Sequence, residues 1–262
     1  MKKIENNSLK TDNKIINLNA GKKEKKRRNR FKMVCAILVF AAIAAFLLSP
    51  FFNIKTIYVD GYNMVSKESI ITKSGIQKGS NIFKINIKKT KESVKAISYV
   101  KDVHISRNII KKDITVKITE RKPIGFIKSG TGSCLIDNEG RILEFIDYIP
   151  QSLPEIAGIK IDKLKAGDYI DKKYELNIEA MRKLVSEFQS LDMFDRVSEI
   201  NIKDSKNLTF MFDGNKKVVM GEDYRTDYKL TMLKSTIEEL APSEEGTIDL
   251  STVGQALFTP SE

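Results

Sequence analysis

Histidine and cysteine are nearly absent from this chain. Its 262 residues include one histidine, His104, and two cysteines, Cys35 and Cys134. A zinc centre built on His104 and Cys134 would still lack two ligands of the usual kinds, and neither C-x-x-C nor H-E-x-x-H spacing occurs, so no metal is expected. His104 lies in Val103-His104-Ile105, where strand alternation sends it to the face opposite both neighbours. The chain also has no G-x-S-x-G, Walker A or G-x-G-x-x-G segment, which removes the common nucleophile-elbow and phosphate-cradle designs. One S-x-x-K match exists, Ser98-Tyr99-Val100-Lys101. That chemistry wants the serine at a helix start with S-x-N and K-T-G partners. Here Ser98 enters a predicted strand, Ser106-x-Asn108 follows too closely and no K-T-G occurs. With no activated nucleophile or acid-base pair, the residues point away from an enzyme and call for no cofactor or small-molecule substrate.

Cys35 lies inside a long apolar run and Cys134 far beyond it, so no intrachain disulfide is available. A small apolar residue in a helix is the plain reading of Cys35, with acylation near a membrane face as the alternative. Acidic residues are the minority, 34 against 45 Lys and Arg, for a formal charge of +11. Such a balance invites a nucleic-acid partner. The excess is local, however: residues 1–32 hold twelve basic and three acidic side chains, leaving 33 and 31 for the remainder. No nucleic acid is therefore expected.

What the chain does have is the apolar run itself, residues 31–52, FKMVCAILVFAAIAAFLLSPFF, with Lys32 its only charge. At about 1.5 Å per residue it reaches roughly 33 Å, enough for one transmembrane helix. Lys22, Lys23, Lys25, Lys26, Arg27, Arg28 and Arg30 abut it. The positive-inside rule then puts the N-terminus in the cytoplasm and residues beyond 52 outside, a single-pass type II arrangement in the cell membrane. A cleaved secretory signal shares this design, with Ala42-Ile43-Ala44 as its cleavage site. The apolar run continuing past Ala44 and the long segment ahead of it favour an uncleaved anchor.

Residues 1–30 are expected to form a disordered basic cytoplasmic tail, since 1–21 are polar, Asn-rich and without helical periodicity. After the span, Ile54, Ile57, Tyr58 and Val59 predict a strand that stops at Asp60-Gly61. Ser66 caps a short helix ending near Gly75, and Ile87, Lys91, Val94 and Ile97 mark a second helix after Gly79. Strands over 99–106 and 113–119 follow, giving the order strand, helix, helix, strand, strand. Further on, short strands are expected around 124–127, 134–136 and 141–145, the last two joined through Asp137-Asn138-Glu139-Gly140. Leu176, Ala180, Leu184, Phe188 and Leu191 make one face of a helix. Strands at 197–202, 208–212 and 216–220 come next, with Asp213-Gly214 turning the last pair. A helix carrying Tyr228, Leu230, Leu233, Ile237 and Leu240, then strands at 246–250 and 256–258, close the pattern.

The ordered set resembles the FtsQ/DivIB family of cell division proteins. Residues 52–121 resemble its POTRA domain, with the entry Ile54-x-x-Ile57-x-Val59-x-Gly61 and the exit Val116-x-Ile118-x-Glu120-Arg121-Lys122-Pro123. Leu153-Pro154-Glu155-Ile156-Ala157-Gly158 resembles the L-P-x-[IL]-x-G segment of its β domain, where Pro154 and Gly158 would shape a loop. Gly246-Thr247-Ile248-Asp249-Leu250 resembles its G-x-[IV]-D-[LM] ending. The family often has Arg after that pair, where this chain has Ser251-Thr252.

The resemblance implies an α+β chain: one transmembrane helix, an extracytoplasmic β-α-α-β-β POTRA domain over 53–121, and a mixed, mostly antiparallel β domain with helices over 122–260. It implies a non-enzymatic scaffold at the division septum that links FtsL-like and FtsB/DivIC-like single-span coiled-coil proteins. The expected contact is strand addition at the last strands, through Ile248, Leu250, Thr252, Leu257 and Phe258. Confinement to one bilayer raises the partners' effective concentration. Small residues Ala41, Ala42, Ala44 and Ala45 leave contact between spans open, against the plainer reading that they face lipid. Two rivals come from other classes: a membrane-anchored cell-wall enzyme, and a POTRA-type chaperone of exported chains, which normally shows repeats or a barrel.

Overall fold

The computed structural model describes residues 18–130, 132–161 and 163–261. Helix α1 (Leu18–Leu47) corrects the expected span at both ends. It begins well before residue 31, because the Lys-, Arg- and Glu-rich stretch ahead of the apolar run is made of good helix formers. The expectation of a disordered tail thus fails for residues 18–30, and residues 1–17 lie outside the described residues. At the other end, Pro50 has no N–H to continue the ladder and disfavours helical backbone at Ser49, so the helix closes at Leu47. The part long and apolar enough to cross a membrane is Arg28–Leu47, 20 residues, or about 30 Å. Phe52, expected within the membrane, is instead buried in the core of the domain that follows the helix.

That core belongs to a three-stranded sheet of β1 (Thr56–Asp60), β2 (Val100–Asn108) and β3 (Asp113–Glu120), in the order β1-β3-β2. Two helices, α2 (Lys67–Ser74) and α3 (Ile87–Lys95), lie between β1 and β2 in the chain, giving the expected order. Ser66 Oγ accepts from Ser69 N–H at 3.2 Å and Gly75 closes α2 in the left-handed region, while Asn86 Oδ1 accepts from Lys89 N–H at 3.1 Å to cap α3. Alternation sends Ile57, Val59, Val103, Ile105, Ile114, Val116 and Ile118 inward with Ile70 and Val94 of the helices. β1 pairs with β3 in parallel, Thr56 opposite Asp113. The start of β1 and the β2–β3 turn therefore share one end of the sheet.

The rest of the chain builds a nine-stranded sheet, running β12-β11-β10-β9-β8-β7-β4-β5-β6. Its strands are β4 (Gly125–Ser129), β5 (Gly132–Ile136), β6 (Ile142–Ile146), β7 (Glu155–Ala157), β8 (Val197–Asn201), β9 (Leu208–Phe212), β10 (Lys216–Gly221), β11 (Gly246–Asp249) and β12 (Leu257–Pro260). Most neighbours are antiparallel; β4–β7, β7–β8 and β10–β11 are parallel. Helices α4 (Glu175–Ser190) and α5 (Thr226–Glu239) fill one face with Ala180, Met181, Leu184, Phe188, Leu230 and Leu233.

Three local readings change here. Within the Leu-Pro-Glu-Ile-Ala-Gly segment, Glu155–Ala157 form an unexpected strand, β7, which joins the two halves of the large sheet; Pro154, whose O accepts from Phe126 N–H at 3.0 Å, and Gly158, at φ 93°, stand outside it. The three residues of β7 are too few for alternation to show in sequence. Leu176 and Tyr228, expected on the inner faces of α4 and α5, are exposed: Leu176 stands in the first turn of α4, and Tyr228 lies on the face of α5 away from the buried Thr226, Lys229, Leu230 and Leu233.

Candidate functional site

The expected contact residues separate by burial. Ile248 and Leu250 are 0% exposed. They belong to the core beneath α4 and α5, so the expectation that they touch a partner is corrected: β11 lies between β10 and β12, and its inward side chains are structural. Phe258, opposite Ile248, is half-buried against the same core. Leu257 is 65% exposed and points to the other face. Thr252 is exposed in the turn between β11 and β12, beside Val253, which carries no signal of its own in the sequence.

The G-x-[IV]-D-[LM] residues account for this shape. A Cβ on Gly246 would collide with Thr259 O and lie 2.7 Å from the Phe258 ring, so glycine is what lets β12 close over β11. Asp249 Oδ1 accepts from Ser251 N–H at 2.8 Å and turns the chain after β11. Hydrogen bonding from Ser251, opposed by burial, holds the Asp249 carboxyl below its usual range. Beneath the turn, Lys229 of α5 is buried and donates to Met220 O (2.8 Å) and Glu222 O (3.2 Å), with burial lowering its pKa.

β12 is the last strand at this end of the sheet. Ser261 N–H donates to Glu245 O at 2.9 Å, so the 245/261 pair is hydrogen-bonded and, by alternation, so are 247/259 and 249/257. The backbone of Phe258 and Pro260 therefore faces away from β11. Phe258 offers both N–H and C=O to an added strand, whereas Pro260 offers only C=O, which limits the ladder at that end. The opposite edge is less open: Ile142 N–H donates to Asp168 O at 2.8 Å and Gly167 N–H to Ile142 O at 2.8 Å, so a loop already occupies part of β6.

A second set of residues joins the two sheets. Phe126, Leu135 and Leu143 of β4, β5 and β6 pack into the core of the first sheet. Arg121, 7% exposed, pairs with Asp137 and with Glu139 (2.7 Å) and donates to Tyr169 Oη at 3.1 Å. Burial opposes its charge, but the two carboxylates hold the guanidinium firmly protonated. Glu120 accepts N–H bonds from Asn63, Met64 and Val65 at 2.9, 2.8 and 2.9 Å. Burial works against its charge, the three donors outweigh burial, and the carboxyl sits below its ordinary range. Glu120 and Arg121 were visible in sequence only as part of a fingerprint. Their partners lie tens of residues away, which no local pattern reveals.

The groups considered for chemistry lie apart. His104 is exposed on β2, Cys134 is buried in the other sheet, and burial pushes its thiol up to about 11. Lys101 pairs with Glu139 at 3.0 Å rather than with Ser98. A surface groove of about 520 Å³ beside β4 and β8 is lined by Lys128, Glu155, Arg196 and Asp213, already matched as Lys128–Glu155 (2.6 Å) and Arg196–Asp213 (2.7 Å). None of these arrangements pairs a nucleophile with a base.

Comparison with known proteins agrees with the architecture. Residues 52–121 match the family model of the POTRA domain, FtsQ-type, and residues 125–251 that of cell division protein FtsQ/DivIB, C-terminal. The chain is 29% identical over 222 residues to the cell division protein DivIB of Clostridium tetani, covering 83% of each. It is 27% identical over 216 residues to DivIB of Clostridium acetobutylicum, covering 80% of this chain and 84% of that one. The cell division protein FtsQ of Corynebacterium glutamicum is 29% identical over 126 residues, covering 48% of this chain and 55% of the relative. With both characteristic domains of one family present in order behind a membrane-length apolar helix, the chain belongs to the FtsQ/DivIB family of cell division proteins.

Proposed function

We propose that the protein is a non-enzymatic scaffold of the septum, with its N-terminus cytoplasmic and residues beyond the span outside. It links FtsL-like and FtsB/DivIC-like single-span coiled-coil partners. The observation that carries the reading is the open edge of β12, where Phe258 turns its N–H and C=O outward beside the exposed Leu257. A partner segment added as a further strand would gain backbone hydrogen bonds there, with Leu257, Thr252 and Val253 supplying side-chain selectivity. A short contact suffices because all partners share one bilayer, which raises their effective concentration. The basic stretch ahead of the span, twelve Lys or Arg within residues 1–32, supports the orientation.

The test is recovery of partners by the full chain and by a copy ending at Gly254, which loses β12 while keeping Ile248 and Leu250 in the core. Loss of the coiled-coil partners with retention of fold is expected. Equal recovery by both would remove β12 as the contact. Depletion of the protein should give unseparated filaments, and normal septation would overturn the scaffold role.

A further inference from the structure

The first external domain has a membrane-facing pole that is built rather than incidental. Asn81 Nδ2 donates to the carbonyls of Leu47 (2.9 Å) and Ser49 (3.1 Å), so the end of α1 is tied directly to the domain. Phe52 meets Phe46 (5.2 Å), Phe51 (5.1 Å) and Phe83 (5.2 Å) edge to face across the same joint. The domain therefore leaves the membrane on a braced connection, not on a loose linker.

The parallel pairing of β1 with β3 places the β2–β3 turn, residues 109–112, at this same pole. Lys55 N–H donates to Lys112 O at 2.8 Å, and Lys112 Nζ stands 3.8 Å from the centre of the Phe51 ring. At the tip, Ile109 is 45% and Ile110 92% exposed. Two adjacent isoleucines are unusual at a turn, where Gly, Asn, Asp and Ser satisfy the backbone, and neither belongs to the hydrophobic core formed by the described residues. Lys111 and Lys112 belong to the turn itself, Lys55 is bonded to it through its N–H, and exposed Lys78 and Lys84 flank the 79–81 segment that pairs with Asn53 and Ile54, while Asp113 is partly buried at the turn's base. Residues 53–121 as a whole carry fifteen basic and six acidic side chains.

We infer that this pole docks on the anionic outer surface of the membrane, with Ile109 and Ile110 entering the headgroup region and Lys55, Lys111 and Lys112 facing lipid phosphates. Apolar insertion and charge are the two signals that together hold a surface on a bilayer. The occupant is fixed by continuity with the span: a surface within reach of Phe51 meets lipid before anything else. Docking would set the tilt of the whole exterior and hence the direction in which the β12 edge is presented. It rests on α1 being a membrane span.

The chain has no tryptophan, so Ile110→Trp in the full-length protein is a single fluorescent reporter at an exposed site. Reconstitution into phosphatidylcholine vesicles with and without phosphatidylglycerol, both carrying brominated acyl chains, reads its depth. Flotation of the protein with the vesicles reads the span separately. The expected result is quenching and a blue shift at residue 110 that grow with phosphatidylglycerol and fall with salt, while Tyr224→Trp in the second domain stays unquenched. Adding Lys55→Gln, Lys111→Gln and Lys112→Gln should lower the docked-to-free ratio by about fivefold per lysine. Flotation with residue 110 unquenched in both lipids overturns the docking alone, as does equal quenching in both. A signal produced instead by a soluble wall polyanion assigns the pole to that polymer and overturns it too. Failure to float overturns the span and the docking with it.

Discussion

The POTRA domain and the β domain differ in charge, in their tie to the membrane and in what their edges offer. Residues 53–121 hold fifteen basic and six acidic side chains, and residues 122–262 hold eighteen and twenty-five. The near-neutral part of the chain beyond the apolar helix is thus a basic POTRA domain followed by an acidic β domain. Screening confines each domain's field to about 8 Å at physiological salt, so the separate charges matter and their total does not. The joint to α1 lies at one end of the three-stranded sheet, where Asn81 holds the carbonyls of Leu47 and Ser49, and the nine-stranded sheet ends in β12, whose outer backbone groups have no partner within that sheet.

Substitutions can break that comparison or sharpen it. The largest effect is expected within the β domain, between inner and outer residues of the last strands. Ile248→Asp puts a charge in the core and should cost more than about 4 kcal/mol in urea unfolding of the full chain, enough to release α4 and α5 from the sheet. A stable Ile248→Asp protein would mean that β11 is not the wall we describe.

Next comes the joint between the domains. Arg121→Ala leaves Asp137 buried without its cation and should cost about 3–5 kcal/mol, and unfolding, expected as one transition in the parent protein, should separate into two. An unchanged single transition would show that Phe126, Leu135 and Leu143 hold the domains together without the ion pair. Gly246→Ala should cost about 1–3 kcal/mol through overpacking against Phe258. Its signature is early proteolysis after residue 246, before any loss of the POTRA fold.

One part of the pH dependence belongs to the POTRA domain. Because the folded carboxyl of Glu120 lies below its unfolded value, its contribution to POTRA stability is complete above about pH 4.3 and disappears as pH falls through the lowered folded value. Glu120→Gln should flatten that acid limb in thermal melts at graded pH, leaving β-domain melting unchanged. An unaltered limb would assign acid sensitivity elsewhere. The smallest stability effect, within about 0.5 kcal/mol, is expected for Leu257→Ala, which should nevertheless reduce partner recovery. Equal recovery would shift selectivity to Thr252, Val253 or the backbone alone.

Apart from β7, the element types and their order were legible in the sequence, because apolar periods, the Ser66 cap and Gly-containing turns are local properties of the chain. Sequence by itself also determined that one apolar stretch can span a membrane. It misjudged where that stretch ends, since Phe52 looks like its neighbours until Pro50 breaks the helix and Asn81 draws the chain into the POTRA core. The family resemblance likewise grouped Ile248, Leu250, Thr252, Leu257 and Phe258 as one contact, because it points to the last strands without telling their two faces apart. Only the tertiary structure separated them, by adding β12 to β11 and leaving a single side open. It alone revealed the roles of Glu120 and Arg121 and the meeting of residues 109–112 with Phe51. Those depend on long-range pairing, which covers one face of a strand and leaves the other to solvent, a choice no local pattern contains.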